Sequence, residues 1–164
     1  MPYLLDSNVF IQAKNLHYGF DFCPGFWQWL AEQNSGGAVF SIEKVEDELV
    51  GVGDDLSEWA QGMGAGFFLR PDPALIPALR RVVAWASGQA YEPAAVSLFL
   101  QVADSYLVAQ ALARGDVVVT HERNSASTKK IKIPDACVGL GVKCMTPFEM
   151  LRRERALFVL SRRQ

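Results

Sequence analysis

Three consecutive valines in DVVVT, residues 116 to 120, follow an Arg-Gly turn signal and constrain the fold more than any other stretch. Successive side chains of a strand point to opposite faces, so a strand that is apolar at every position must be covered on both. YLL at residues 3 to 5 and AVFSI at 38 to 42 have the same character, and GFFLR at 66 to 70 and VKCMT at 142 to 146 read as further short strands. Between them, EKVEDELVGV repeats Val45, Leu49 and Val52 at helical spacing. PALIPALRRVVAWA and the stretch from Pro93 to Arg114 read as helices, the second broken near Gln101 to Ala103, and another helix follows Pro147. This alternation predicts an α/β protein: a small parallel β-sheet flanked by α-helices on both faces.

At 164 residues, without internal repeats or low-complexity linkers, the chain fits a single domain spanning 1–164. Half of its residues are apolar and 21% are charged, a globular composition rather than a disordered one. The N-terminus lacks a basic leader, and AAVSLFLQVADSYLVAQALA carries Asp104 and two glutamines, so that window reads as buried helix rather than membrane span. Cys23, Cys137 and Cys144 form no Cys-x-x-Cys pair and are read as reduced thiols of a cytoplasmic protein.

A parallel sheet has a predictable functional edge outside the carboxyl ends of its strands, where strand order reverses. Asp6 ends the strand YLL, and Glu122 stands two residues beyond Val-Val-Val-Thr. The first turns of the EKVEDE helix, with Glu43, Glu46, Asp47 and Glu48, approach the same rim. Asp104 opens the helix leading into DVVVT, and a helix antiparallel to its strand starts near that strand's carboxyl end. Carboxylates gathered this way repel one another unless cations neutralise them, and hard oxygen donors without paired Cys or His suit Mg²⁺ or Mn²⁺. Each acid also has a plainer reading. Asp6 and Asp104 are good N-caps, Glu122 is a loop acid, and the EKVEDE acids are an exposed helix face.

The formal charge of -2 conceals a segregation. Residues 1–114 carry 6 Lys/Arg against 13 Asp/Glu, whereas residues 115–164 carry 10 against 5. Lys129, Lys130, Lys132 and Arg123 follow the strand that carries Glu122 and can meet a polyanion, or they belong to a mobile, solubilising loop. A basic tail covers about 152–164 and includes Arg152, Arg153, Arg155, Arg162 and Arg163. His17, Tyr18, Phe20, Phe22, Phe26, Trp27 and Trp29 form an aromatic-rich region that core packing explains for the most part. GMGAG at 62 to 66 is no phosphate loop, and no G-x-S-x-G arrangement is present.

YLLDSNVFI, then VEDEL after a strand, then ADSYLVAQALARGDVVVTHE, in this order and spacing, resemble the PIN domain, a nuclease fold of toxins and RNA-processing enzymes. KKIKIPDAC with VKCMTPFEML resembles the closing segment of an uncharacterised bacterial PIN subgroup. The resemblance covers nearly the whole chain and implies a PIN-like fold whose acids bind Mg²⁺ or Mn²⁺. By position it assigns Asp6, Glu48, Asp104 and Glu122 to metal and catalysis, with Glu46 the competitor of Glu48. Glu122 replaces the usual aspartate of a Thr-x-Asp motif, which lengthens the arm. Asn8 and Thr120 would orient ligands or waters, and His121 reads as a general base or as a hydrogen-bonded residue near the surface. Asp135 reads as a fifth rim acid or as the cap after Pro134. The resemblance further implies metal-assisted hydrolysis of RNA and a toxin of a toxin-antitoxin pair. It also implies an antitoxin or a second subunit as protein partner, no membrane, and, as the alternative, a catalytically weak module that binds RNA or protein. Lys129, Lys130, Lys132 and Arg123 would then hold RNA phosphates.

Overall fold

The computed structural model describes residues 1–160, so Arg162 and Arg163 of the basic tail lie outside the described residues. The chain runs β1 (Tyr3–Leu5), α1 (Ser7–Gln12), a π-helical turn (Ala13–His17), α2 (Pro24–Ser35), β2 (Val39–Ile42), α3 (Glu43–Val50) and α4 (Asp55–Met63). A short 3-10 turn precedes β3 (Phe68–Leu69), which is followed by α5 (Leu75–Gly88), α6 (Pro93–Gln101) and α7 (Ala103–Arg114). The chain then forms β4 (Val117–Val119), α8 (Ile133–Leu140), β5 (Cys144–Met145) and α9 (Pro147–Arg153).

The five strands form one sheet in the order β3-β2-β1-β4-β5, and every neighbouring pair is parallel. Central β1 pairs Leu4 with Phe40 of β2 on one side and with Val118 of β4 on the other. All three residues of β1 and all three of β4 are buried, which in a pleated strand means that both faces are covered by helices. The chain moves outward from β1 through β2 to β3, then returns to the far side of β1 for β4. The reversal point, where ligands of such sheets bind, therefore lies between the carboxyl ends of β1 and β4.

Local chemistry sets the element ends that matter here. Asp6 leaves β1 in extended conformation and caps α1, its side chain accepting from Ser7 N at 2.7 Å. Glu92 and Pro93 start α6, and extended Val102 breaks the long apolar helix into α6 and α7. Those two helices meet at 69°, and among the described residues no single helix is long and apolar enough to cross a membrane. Gly115, at φ +75°, ends α7 in the left-handed region and turns the chain directly into β4. The basic tail is held rather than frayed as far as residue 158. After α9 the Phe158 ring packs edge-on to Tyr18 at 5.8 Å and to Phe26 at 6.2 Å.

Candidate active site

Asp6 is 3% exposed and lies at the β1 end of the reversal point. One carboxylate oxygen accepts from Ser7 N and the other from the Thr120 hydroxyl at 2.8 Å, so residues directly after β1 and β4 are tied together. Thr120 Oγ1 in turn accepts from Asn8 Nδ2 at 3.2 Å and from Glu122 N at 3.0 Å, while Asn8 Oδ1 accepts from His121 N at 3.1 Å. Asn8 thus reads the backbone after β4 as well as the threonine. Asp6 is at once the cap of α1 and a buried carboxylate at the rim.

Burial pushes Asp6 up from 3.8 to about 7, and the Asp104 and Glu122 carboxylates add to the rise against the Thr120 and Ser7 donors. Asp104 itself is pushed up to about 6, by burial first and then by Glu122 and Glu48, while Lys130 and Lys132 pull it down. Asp104 is not an N-cap: Val102 holds that position without a side-chain bond, and Asp104 sits in the first turn of α7. Glu48, Asp104, Glu122 and Lys130 line one cavity of about 290 Å³, whose apolar wall includes Leu98, Phe99 and Ile131. Glu46 faces another environment, with Asp47, Glu43 and Arg70. Geometry therefore joins Glu48, and not Glu46, to the rim acids.

Glu122 does more than extend an acidic arm. Its Oε2 accepts from Ile133 N at 2.8 Å, across eleven residues, and so satisfies the first turn of α8 where Lys132 supplies no side-chain cap. Asp135, expected to cap after Pro134, instead lies inside α8 and accepts from Ser125 N at 3.1 Å. With Ser127 N bonded to Ser125 Oγ, Lys129 N to Ser127 Oγ and Glu92 N to Thr128 O, the loop that carries the lysines is fastened along its length, contrary to the mobile-loop reading. Lys130 lines the cavity and Lys132 lies beside Asp104, whereas Lys129 and Arg123 are exposed and turn no side chain into that cavity.

His121 is lowered from its ordinary value by burial and by His17, so it favours the neutral ring. Its ring lies 5.6 Å from His17 and 5.5 Å from Phe148, and His17 meets Phe148 edge-on at 5.1 Å. The grouping of His17 with Phe148, and the α6 wall of the cavity, were not legible in the sequence. These residues lie far apart in the chain, and each on its own reads as core packing.

Among the described residues no three His, Cys, Asp or Glu side chains stand together at metal-ligand spacing. The donor chemistry nevertheless fits a hard divalent cation. Buried Asp6 is raised by Asp104 and Glu122, half-buried Asp104 by Glu122 and Glu48, and the donors are oxygens. A cation relieves the repulsion that otherwise holds protons on them.

A family model described as Domain of unknown function (DUF4411) matches residues 3–158, and the chain belongs to that family. No curated protein and no solved structure matches the chain significantly.

Proposed function

We propose that this DUF4411 chain is a Mg²⁺- or Mn²⁺-dependent ribonuclease with a PIN-like active site, acting in the cytoplasm as the toxin of a toxin-antitoxin pair. The carrying observation is Asp6 at the strand-order reversal, raised by burial and by the Asp104 and Glu122 carboxylates, together with the cavity that Asp104, Glu48 and Glu122 line. The toxin role, a cognate antitoxin and a homodimer follow from the sequence resemblance and share its support.

Asp6, Asp104, Glu48 and Glu122 would hold the cation. When bound, it supplies Lewis-acid activation of water and neutralises charge developing on the phosphodiester. The chain's own residues do the rest. Thr120 and Ser7 fix both oxygens of Asp6 by donating to them, so its orientation is set before any ligand arrives. Asp104, raised to about 6, is largely ionised above neutral pH, as a cation ligand must be. Lys130 and Lys132 offer positive charge to a phosphate beside Asp104. Asn8 and Thr120 hold β1 and β4 in fixed register at the site.

A second reading has its own observation. One oxygen of Glu122 is already engaged by Ile133 N, and the acids do not form a ready ligand triad among the described residues. That favours a PIN-like module that binds RNA or protein with little catalysis. Cleavage of a mixed RNA pool with Mg²⁺ or Mn²⁺ separates the two, with Asp6→Asn and Asp104→Asn prepared identically. Metal-dependent cutting lost in both variants supports the nuclease. Equal cutting by all three marks a contaminant and removes the basis of the proposal, and absence of cutting by any moves the binding module ahead.

A further inference from the structure

We infer that a second cavity, outside the carboxyl ends of β2 and β3, binds a single-ring heterocycle with an amide edge, the chemistry of a free pyrimidine base or a pyridine carboxamide. Ile42 and Leu69 end those two strands, and α7 supplies Tyr106 and Gln110. The cavity shares no lining residue with the acidic one, so its occupancy does not depend on the nuclease reading.

Gln110 is 4% exposed, yet its amide makes no hydrogen bond with the described residues. Every wholly enclosed side-chain nitrogen and oxygen among the described residues has a partner. The Gln110 amide, having none, therefore reaches open space, and the cavity it lines is that space. Buried polar groups are ordinarily bonded, so this amide leaves one acceptor and one donor side to be satisfied from within the cavity. A cyclic amide or an aminopyrimidine edge presents the matching pair side by side.

Size and lining narrow the ligand. The cavity measures about 120 Å³. An apolar cavity of roughly 150 Å³ holds one benzene ring, so one ring is the limit here. Buried Ile42 and Leu75 and half-buried Leu69 give the ring faces apolar walls. Lys44 of α3 sets its ammonium 4.2 Å over the Tyr106 ring and pairs with no carboxylate among the described residues, so it is placed to donate to a ring carbonyl. The Glu43 carboxylate, by contrast, is taken up by Arg70 at 2.7 Å. A hydrocarbon ring would leave Gln110 unpaired, and a small inorganic anion would leave the apolar walls uncovered.

The test titrates the isotope-labelled full chain with uracil, cytosine and nicotinamide, and with benzene and adenine as controls, reading backbone amide shifts by two-dimensional NMR. Expected are saturable shifts at millimolar ligand, confined to α3, β3 and α7 around the cavity, with at least one of the three amide-edged rings; the tightest identifies the source. Benzene, which cannot bond Gln110, and adenine, a fused pair of rings, should both bind less tightly. Gln110→Leu keeps an apolar filling of similar size and should weaken the tightest ligand about 10- to 100-fold, the scale for hydrogen bonds left unmade. Lys44→Met should weaken it too. No saturable shift with any of the three, shifts centred on the acidic cavity instead, benzene or adenine binding as tightly, or undiminished affinity in Gln110→Leu would each overturn the assignment. The wild-type comparison with benzene keeps the test decisive if Gln110→Leu fails to fold. RNA cleavage bears on the acids alone, so its absence leaves this site standing and its presence does not establish it.

Discussion

The Thr120 hydroxyl donates to Asp6 Oδ2 at 2.8 Å, joining the residues that directly follow β1 and β4 at the point where strand order reverses. The bond is buried, and Thr120 also accepts from Asn8 and from Glu122 N. Thr120→Val keeps the shape and removes all three interactions. The expected cost is about 1–3 kcal/mol in denaturant unfolding, because buried polar partners lose their bonds. Without its donor, Asp6 should titrate higher still, so the rising limb of the cleavage pH profile should move to higher pH. An unchanged profile would separate Thr120 from the chemistry.

Asp6 also makes a stability prediction with a definite sign. Its folded-state value of about 7 lies above the ordinary 3.8, so the folded protein holds an extra proton between those values. Stability from this group is therefore greatest below about pH 4 and falls as pH rises toward 7. Asn is uncharged, similar in shape and also a good cap. In EDTA, Asp6→Asn should be more stable than wild type at pH 8, by up to about 4 kcal/mol, and no more stable at pH 4. Thermal unfolding at the two pH values checks this, and a destabilised variant at pH 8 would contradict the electrostatic account.

A cation held by Asp6 and Asp104, as proposed, would displace protons from them. Affinity for Mn²⁺ should therefore rise between pH 5 and pH 8, and calorimetry in buffers of different ionisation enthalpy should show proton release. Asp104→Asn should weaken both effects, leaving the proton on Asp6 to be displaced. Binding that is independent of pH would place the cation elsewhere.

Glu122 combines two roles that two substitutions separate. Glu122→Gln keeps an oxygen for Ile133 N, so unfolding should change by less than about 1 kcal/mol while Mn²⁺ affinity falls. Glu122→Asp keeps the charge but shortens the reach, so α8 should lose its acceptor and the protein about 1–3 kcal/mol. Equal stability of the two variants would remove the capping role.

Gly139 lies in α8 against Trp85, and a Cβ there would overlap the indole nitrogen. Helix propensity alone favours Ala over Gly by about 1 kcal/mol. Gly139→Ala should instead destabilise by about 1–3 kcal/mol, because the well-packed ring must move. Thermal unfolding reads the sign directly.

Periodicity and turn residues were enough to read the five strands from the sequence. YLL, AVFSI, GFFLR, DVVVT and VKCMT each contain the observed strand, and the signal is plainest in YLL and DVVVT, whose fully buried strands must be apolar at consecutive positions. The break between α6 and α7 was likewise legible near Val102. Helices α2 and α4 were not read. The aromatics of α2 mask its period, and the cap of α4, Asp54 accepting from Ser57 N, is a local signal that neighbouring acids and glycines obscure.

By itself the sequence determined which residues could meet at the rim, because strand ends are written in local pattern and a parallel sheet aligns its carboxyl ends. Tertiary structure alone decided which did. It placed β4 beside β1 and so brought Thr120 to Asp6. It turned Glu48 toward Asp104 and Glu46 away, committed Glu122 to α8 and Asp135 to the lysine loop, and assembled His17, His121 and Phe148 from three distant segments. Such choices depend on which partner satisfies a buried polar atom or covers a ring across long sequence separations, and local propensity carries no record of that.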